Sequence, residues 1–297
     1  MSRPTEGPGR GAYGLRLLDA ADADQPLVGS ADRWLLEADP SWPAWEIAYE
    51  RVGEGWADLV EEFDADRAVL RAQPDGRLTL VRAAQRATLA LAEPLTAEGL
   101  VHPYLATTAA FAGHWLGRST FHGGSFALEG RVWGLLGDQE AGKSTTLMAL
   151  HSIGVPVVSD DLVVVEDRRV LGGPRCLDLR RSTAEWFGVG RPLGRIGRRE
   201  RWRVDLPMLE GPLPIAGWVV LAWSEELAIR QLDAAGRLGA LATNRAVQAP
   251  GATPPQFLEL AGLPTLLFAR PSERSVLKSA LEQLLDRLVE IAALDRV

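Results

Sequence analysis

The stretch GDQEAGKS, residues 137–144, sets two glycines, a lysine and a hydroxyl at the spacing G-x-x-x-x-G-K-[ST]. That pattern suits phosphate binding. Backbone N–H groups wrap a phosphate when the chain makes tight turns at positive φ, which glycine adopts without strain. The lysine is a compact charge on a flexible stem that reaches β- and γ-phosphates, where a planar guanidinium does not fit. Composition also singles it out, because Lys143 and Lys278 are the only lysines among 32 basic residues. The Ser144 hydroxyl is a candidate Mg²⁺ ligand, and a helix starting there aims its positive end at the phosphates. Gly137, Asp138, Gln139, Glu140, Ala141, Gly142, Lys143, Ser144 and Thr145 are therefore the expected nucleotide-binding residues, with ATP or GTP and Mg²⁺ as ligands.

A nucleotide-bound Mg²⁺ also needs a carboxylate, usually at the end of a neighbouring strand. Asp160 and Asp161 follow a short apolar run and lie 17 and 18 residues beyond Lys143. Neighbours in an extended chain point to opposite sides, so one aspartate is expected to face the γ-phosphate and the other to support it or to act on the attacking group. His122 lies 15 residues before Gly137. Pairing across a hairpin at Glu129-Gly130 would carry it to the edge of the same sheet.

These groups need elements to hold them. Residues 131–136 read as a buried strand entering the loop, and residues 144–150 as a helix leaving it, with Gly154 as its C-cap. Residues 125–128 form the partner strand of the hairpin, and 155–158, 162–165 and 216–223 are further apolar strands, with a turn at 166–169. Residues 180–203 carry eight arginines against Glu185 and Glu200, with Gly190, Gly194 and Gly197 among them, which predicts a mobile basic loop. Residues 249–255 read as another loop. From about Ser272 an amphipathic helix turns Val276, Leu277, Leu281, Leu284, Leu285, Leu288 and Ile291 inward. Upstream, residues 13–92 are strand-rich, with a hairpin turn at Pro74-Asp-Gly-Arg, and residues 104–115 have the spacing of a buried helix. The expected organisation is an N-terminal strand-rich region over 1–95 and an α/β phosphate-loop domain over 96–297.

Composition bounds the function. With 46% apolar and 24% charged residues, the chain is an ordinary globular one. A net charge of −7 argues against nucleic-acid or anionic-membrane partners. No apolar run reaches the 18 or so residues that span a bilayer. The polar start, MSRPTEGPGRGAYG, reads as a disordered tail and not as a signal peptide. A lone cysteine, Cys176, permits no internal disulfide, so a cytoplasmic location is expected. The ten tryptophans read as anchors of the core or of an interface.

Together, His122, the hairpin, residues 137–144 and Asp160-Asp161 resemble the catalytic domain of HPr kinase/phosphorylase, a bacterial enzyme that phosphorylates a serine on a phosphocarrier protein. They resemble still more the shorter HPr-kinase-like proteins, including kinases of ribosomally made peptides such as lasso peptides. The resemblance covers about residues 100–290 and implies a phosphate-loop sheet akin to that of phosphoenolpyruvate carboxykinase. It implies Asp161 as the base for a substrate hydroxyl, His122 beside it and Asp160 near Mg²⁺. Leu177-Asp-Leu-Arg180 is similar to a later family segment, implying Asp178 as a second Mg²⁺ ligand. Arg201 and Arg203 are similar to a basic position near the nucleotide. The family loop usually has Ser-Gly where this chain has Gln139-Glu140, and residues 1–95 do not match the family's regulatory domain. The implied activity is an ATP- and Mg²⁺-dependent kinase acting on a hydroxyl, either Ser/Thr of a peptide or protein or a small molecule, and assembling as a homo-oligomer. The rival expectation is an ATP-binding regulatory or assembly protein without phosphotransfer, favoured by Glu140 and by the unfamiliar N-terminal region.

Overall fold

The computed structural model describes residues 9–53, 55–56, 58–73, 75–196, 199–209, 211–248 and 255–294. The first eight residues of the expected tail, Pro74 of the hairpin turn, Gly197 and residues 249–254 of the expected loop lie outside them. The fold is mixed α/β with several sheets. Its two compact units are each built from two chain segments, Met1–Leu116 with Gly172–Met208, and Gly117–Leu171 with Leu209–Val297. This division differs from the expected boundary near residue 95.

The first unit opens with β1 (Arg10–Ala12), β2 (Leu15–Asp19), β3 (Leu36–Glu37), β4 (Ala44–Arg51), β5 (Glu62–Phe63), β6 (Arg67–Ala72), β7 (Gly76–Val81) and β8 (Arg86–Leu91). They form an eight-stranded sheet in the order β3-β1-β2-β4-β8-β7-β6-β5. In β7, Leu78 and Leu80 are buried while Arg77, Thr79 and Val81 alternate with them, the period-2 pattern of a half-buried strand. β6 and β7 pair antiparallel, as the turn residues predict. A short α1 (Ala97–Gly99) and α2 (Leu105–Trp115) follow, α2 burying Leu105, Ala109, Ala112 and Trp115.

The second unit begins with β9 (Ser119–His122), β10 (Gly124–Leu128), β11 (Arg131–Leu136), α3 (Lys143–Ser152), β12 (Val157–Ser159), β13 (Leu162–Glu166) and β14 (Arg169–Leu171). Two tight turns have successive positive φ values, Glu129 (49°) with Gly130 (74°) and Asp167 (46°) with Arg168 (58°), the handedness that matches strand twist in two-residue hairpins.

The chain then contributes β15 (Cys176–Leu179), α4 (Arg181–Phe187), β16 (Arg191–Ile196) and β17 (Arg199–Asp205) to the first unit as a three-stranded sheet. The expected mobile loop at 180–203 is therefore a helix and a hairpin. Arg181-Ser-Thr-Ala-Glu-Trp-Phe187 makes the helix, closed by Gly188 in the left-handed region, and Trp202 and Val204 in β17 pair with Leu179 and Leu177 of β15. Contacts distant in sequence hold the segment: Arg175 N–H donates to the Trp34 carbonyl at 2.7 Å, and the Trp34 indole N–H to Asp205 Oδ1 at 2.8 Å.

The second unit is completed by β18 (Leu213–Trp223), β19 (Ala228–Gln231), α5 (Ala234–Thr243), α6 (Pro255–Gly262), β20 (Thr265–Arg270) and α7 (Leu277–Leu294). β18 lies parallel between β11 and β20, and its first residues also pair antiparallel with β14. Its register with β11 is set by complementary bulk. Trp133 faces Gly217 and Gly134 faces Trp218, and a Cβ on Gly134 would stand 2.3 Å from the Trp218 ring. A one-residue slip would put tryptophan against tryptophan, so this lock fixes the strand that enters the loop. Phe121 meets Trp218 edge-on at 4.9 Å within the core. Along α7, Leu277, Leu281, Leu284, Leu288 and Ile291 are buried as the periodicity predicts, while Leu285, and Val276 just before the helix, are only half-buried. Among the described residues, no helix is long and apolar enough to cross a membrane.

Candidate functional site

The site gathers at the ends of β11, β12 and β9 in the second unit. After Leu136 the chain turns through Gly137 (φ 144°), Glu140 (φ 71°) and Gly142 (φ 90°) before α3 begins at Lys143. Both glycines are favoured by φ, and both stand close to their neighbours. A Cβ on Gly137 would stand 3.0 Å from the Leu221 carbonyl oxygen, and one on Gly142 2.9 Å from Arg270 Nη2. Gly142 is the N-cap residue of α3, so no side chain caps that end. The first turn thus presents backbone donors and the positive end of the helix dipole.

Lys143 folds back over the loop. Its Nζ donates to the carbonyls of Gly137 at 2.7 Å and Asp138 at 3.1 Å. Burial lowers its pKa, and the charges of Asp161, Asp160 and Asp138 partly restore it. Ser144 Oγ donates to Asp160 Oδ1 at 3.3 Å. A hydroxyl and a carboxylate side by side are the oxygen donors a hard cation takes. No group of three or more His, Cys, Asp or Glu side chains is placed to hold a metal ion by itself among the described residues. A divalent ion here would complete its shell with ligand oxygens and water, the usual habit of Mg²⁺.

The aspartates depart from the expected extended geometry. Asp161 is left-handed, at φ 65°, and its N–H donates to Asp160 Oδ1 at 3.0 Å. The Asp160 carboxylate thus caps a turn and meets Ser144, and the two side chains are not separated by strand alternation. His122 arrives by a route other than the expected hairpin. β9 pairs antiparallel with β13, setting His122 opposite Leu162, while β10 pairs with β11 and β12. Gly123 N–H donates to the Asp161 carbonyl at 3.1 Å. Burial, then the Lys143 charge, lowers the His122 pKa against the opposing pull of Asp161. The shift is downward, toward the neutral imidazole, although His122 keeps an exposed surface.

Lys143, Ser144, Asp160, Asp161 and His122 are therefore brought together. Asp178, Arg201 and Arg203 lie in the first unit. There Asp178 and Arg203 engage each other, Oδ1 accepting from Nε at 2.7 Å and Oδ2 from Nη2 at 2.6 Å, both side chains almost fully buried. Arg201 faces Gly194 in the β16–β17 hairpin. Asn244, just past α5, escaped the sequence reading. Its Oδ1 accepts from Gly137 N–H at 3.3 Å and its backbone carbonyl from His122 N–H at 2.7 Å, so one residue ties the loop to the histidine strand. Asparagine after a helix reads as an ordinary C-cap, and nothing local marks its second partner.

No family model matches the chain, and no curated protein matches it. Among solved structures, an HPr(Ser) kinase/phosphatase from Coxiella burnetii is similar over 60% of this chain and 97% of its own, at 14% identity and a TM-score of 0.31. At that score no residue role passes from the neighbour to this chain.

Proposed function

We propose that the second unit is an HPr-kinase-like phosphate-loop domain that transfers the γ-phosphate of ATP, with Mg²⁺, to a hydroxyl group. The observation that carries this reading is the convergence on one loop of Lys143, a Ser144–Asp160 oxygen pair and Asp161 with His122. In this reading the loop amides and Lys143 hold the β- and γ-phosphates, and Ser144 and Asp160 hold Mg²⁺. The bound ion would neutralise charge on the phosphates. Asp161 takes the proton of the attacking hydroxyl as its oxygen bonds to the γ-phosphorus and the bond to ADP breaks, and His122 orients that carboxylate. The acceptor we favour is a Ser or Thr of a peptide or protein, with a small-molecule alcohol as the other class.

Isothermal titration tests the loop. Lys143→Ala is expected to weaken Mg·ATP about 10- to 100-fold, the worth of a hydrogen bond from a charged donor. Wild type that fails to bind Mg·ATP would end the kinase reading.

Glu140 favours a second reading, an ATP-binding regulatory or assembly protein without transfer. It adds a negative charge to the loop that would hold the phosphates, and its left-handed backbone costs a non-glycine residue about 1–2 kcal/mol. Glu140→Gly is expected to lower the Kd for Mg·ATP about two- to fivefold at low salt, less at high salt, because the exposed charge is screened. The same titration at two ionic strengths measures this. ADP formation that depends on an added acceptor separates the two readings.

A further inference from the structure

An indole stands at the rim of the loop, on the side away from the aspartates. In the sheet order β12-β10-β11-β18, with β20 beyond, β12 leads into Asp160 while β18 ends at Trp223. Trp223 and Arg270 are register partners in neighbouring parallel strands. Arg270 is only 3% exposed, and its guanidinium centre lies 4.4 Å from the Trp223 ring. Its Nη2 donates to Thr146 Oγ1 of α3 at 3.3 Å, and its buried Nε has no hydrogen-bond partner. The Trp223 indole N–H donates to the Glu140 carbonyl at 3.2 Å, and a Cβ on Gly142 would come within 3.2 Å of its ring. Yet Trp223 remains 48% exposed.

The ring is thus held along its edge by the loop and on one face by a buried cation, leaving flat aromatic surface in water. In open α/β sheets, ligands lie beyond the carboxyl ends of the strands, where β11, β18 and β20 all terminate. A triphosphate in the loop with its terminal phosphate toward Asp160 sends the other end of the molecule toward Trp223. We propose that the open face of Trp223 is the platform on which the nucleotide base stacks, backed by Arg270. This rests on the reading of the loop as a nucleoside triphosphate site and adds the part that holds the base. Stacking reads a π-face and not a hydrogen-bonding edge, so the platform accepts adenine and guanine alike.

The test titrates Mg·ATP, Mg·GTP and Mg·tripolyphosphate into wild type, Trp223→Ala and Trp223→Phe. Trp223→Ala is expected to weaken both nucleotides about tenfold and to leave tripolyphosphate unchanged. Trp223→Phe keeps a ring without the N–H and is expected to recover most of the loss. Equal weakening of tripolyphosphate would make Trp223 a pin for the loop and overturn the proposal, as would unchanged nucleotide affinity in Trp223→Ala. Wild type that binds tripolyphosphate while the base adds nothing sinks the platform alone. Wild type that binds none of the three probes sinks the loop reading and the platform with it.

Discussion

Asp161→Asn is expected to slow phosphoryl transfer about 10²- to 10⁴-fold while Mg·ATP affinity stays close to wild type. The substitution keeps the side-chain size and removes a proton acceptor together with a charge that acts on Lys143 and His122. Asparagine tolerates the left-handed backbone that this position adopts at φ 65°, so the turn should survive. The Gly123 N–H bond uses the Asp161 carbonyl, and the bond to Asp160 Oδ1 uses its N–H, so neither depends on the carboxylate. Asp160 and Ser144 are untouched. ADP release from Mg·ATP can be followed with water as the default acceptor, beside a titration of Mg·ATP into the same preparation. If affinity and rate fall together, Asp161 acts on nucleotide binding and is not the base. An unchanged rate would remove it from the mechanism.

The second large effect concerns stability. Asp178→Ala leaves the Arg203 guanidinium buried with its charge unmatched, and breaking such a pair costs about 3–5 kcal/mol. Burial by itself would lower the Arg203 pKa, but the hydrogen bond and charge from Asp178 prevail and raise it. Arg203 also donates from Nη2 to the Glu98 carbonyl at 3.0 Å and lies 4.7 Å from the Trp34 ring centre, so loss of the aspartate is felt across the first unit. Urea denaturation monitored by tryptophan fluorescence reads the change. The double variant Asp178→Leu/Arg203→Met, which replaces both charges with apolar bulk, is expected to recover most of the loss. A loss below about 1 kcal/mol would show that water reaches Arg203 and solvates it. If Asp178 is instead a Mg²⁺ ligand, Asp178→Ala should alter the Mg²⁺ dependence of nucleotide binding in protein that remains folded. The pair in the structure predicts no such change.

The octapeptide at 137–144 was legible in the sequence because every part of it is local. Positive φ at two glycines, a helix start and a lysine with a neighbouring hydroxyl are all specified within one turn of chain. The Glu129-Gly130 and 166–169 turns were legible for the same reason, and α7 showed its buried face through spacing alone. The stretch at 180–203 misled because arginine and glycine content suggested a solvated loop, whereas β17 pairs with β15 and buries Arg203 against Asp178, which holds the stretch as a hairpin. Which segments meet was decided only by tertiary structure. His122 reaches Asp161 because β9 pairs with β13, roughly forty residues away in the chain, in a register that no turn dictates. Residues 172–208 return to the first unit through Trp34, Arg175 and Asp205, and Asn244 and Trp223 come to the loop from still farther along the chain. Such contacts draw their energy from packing and from the loss of water, and that energy depends on shape across strands. The tryptophan–glycine lock between β11 and β18 is an example: each residue is ordinary in its own strand, and only the pairing makes the match.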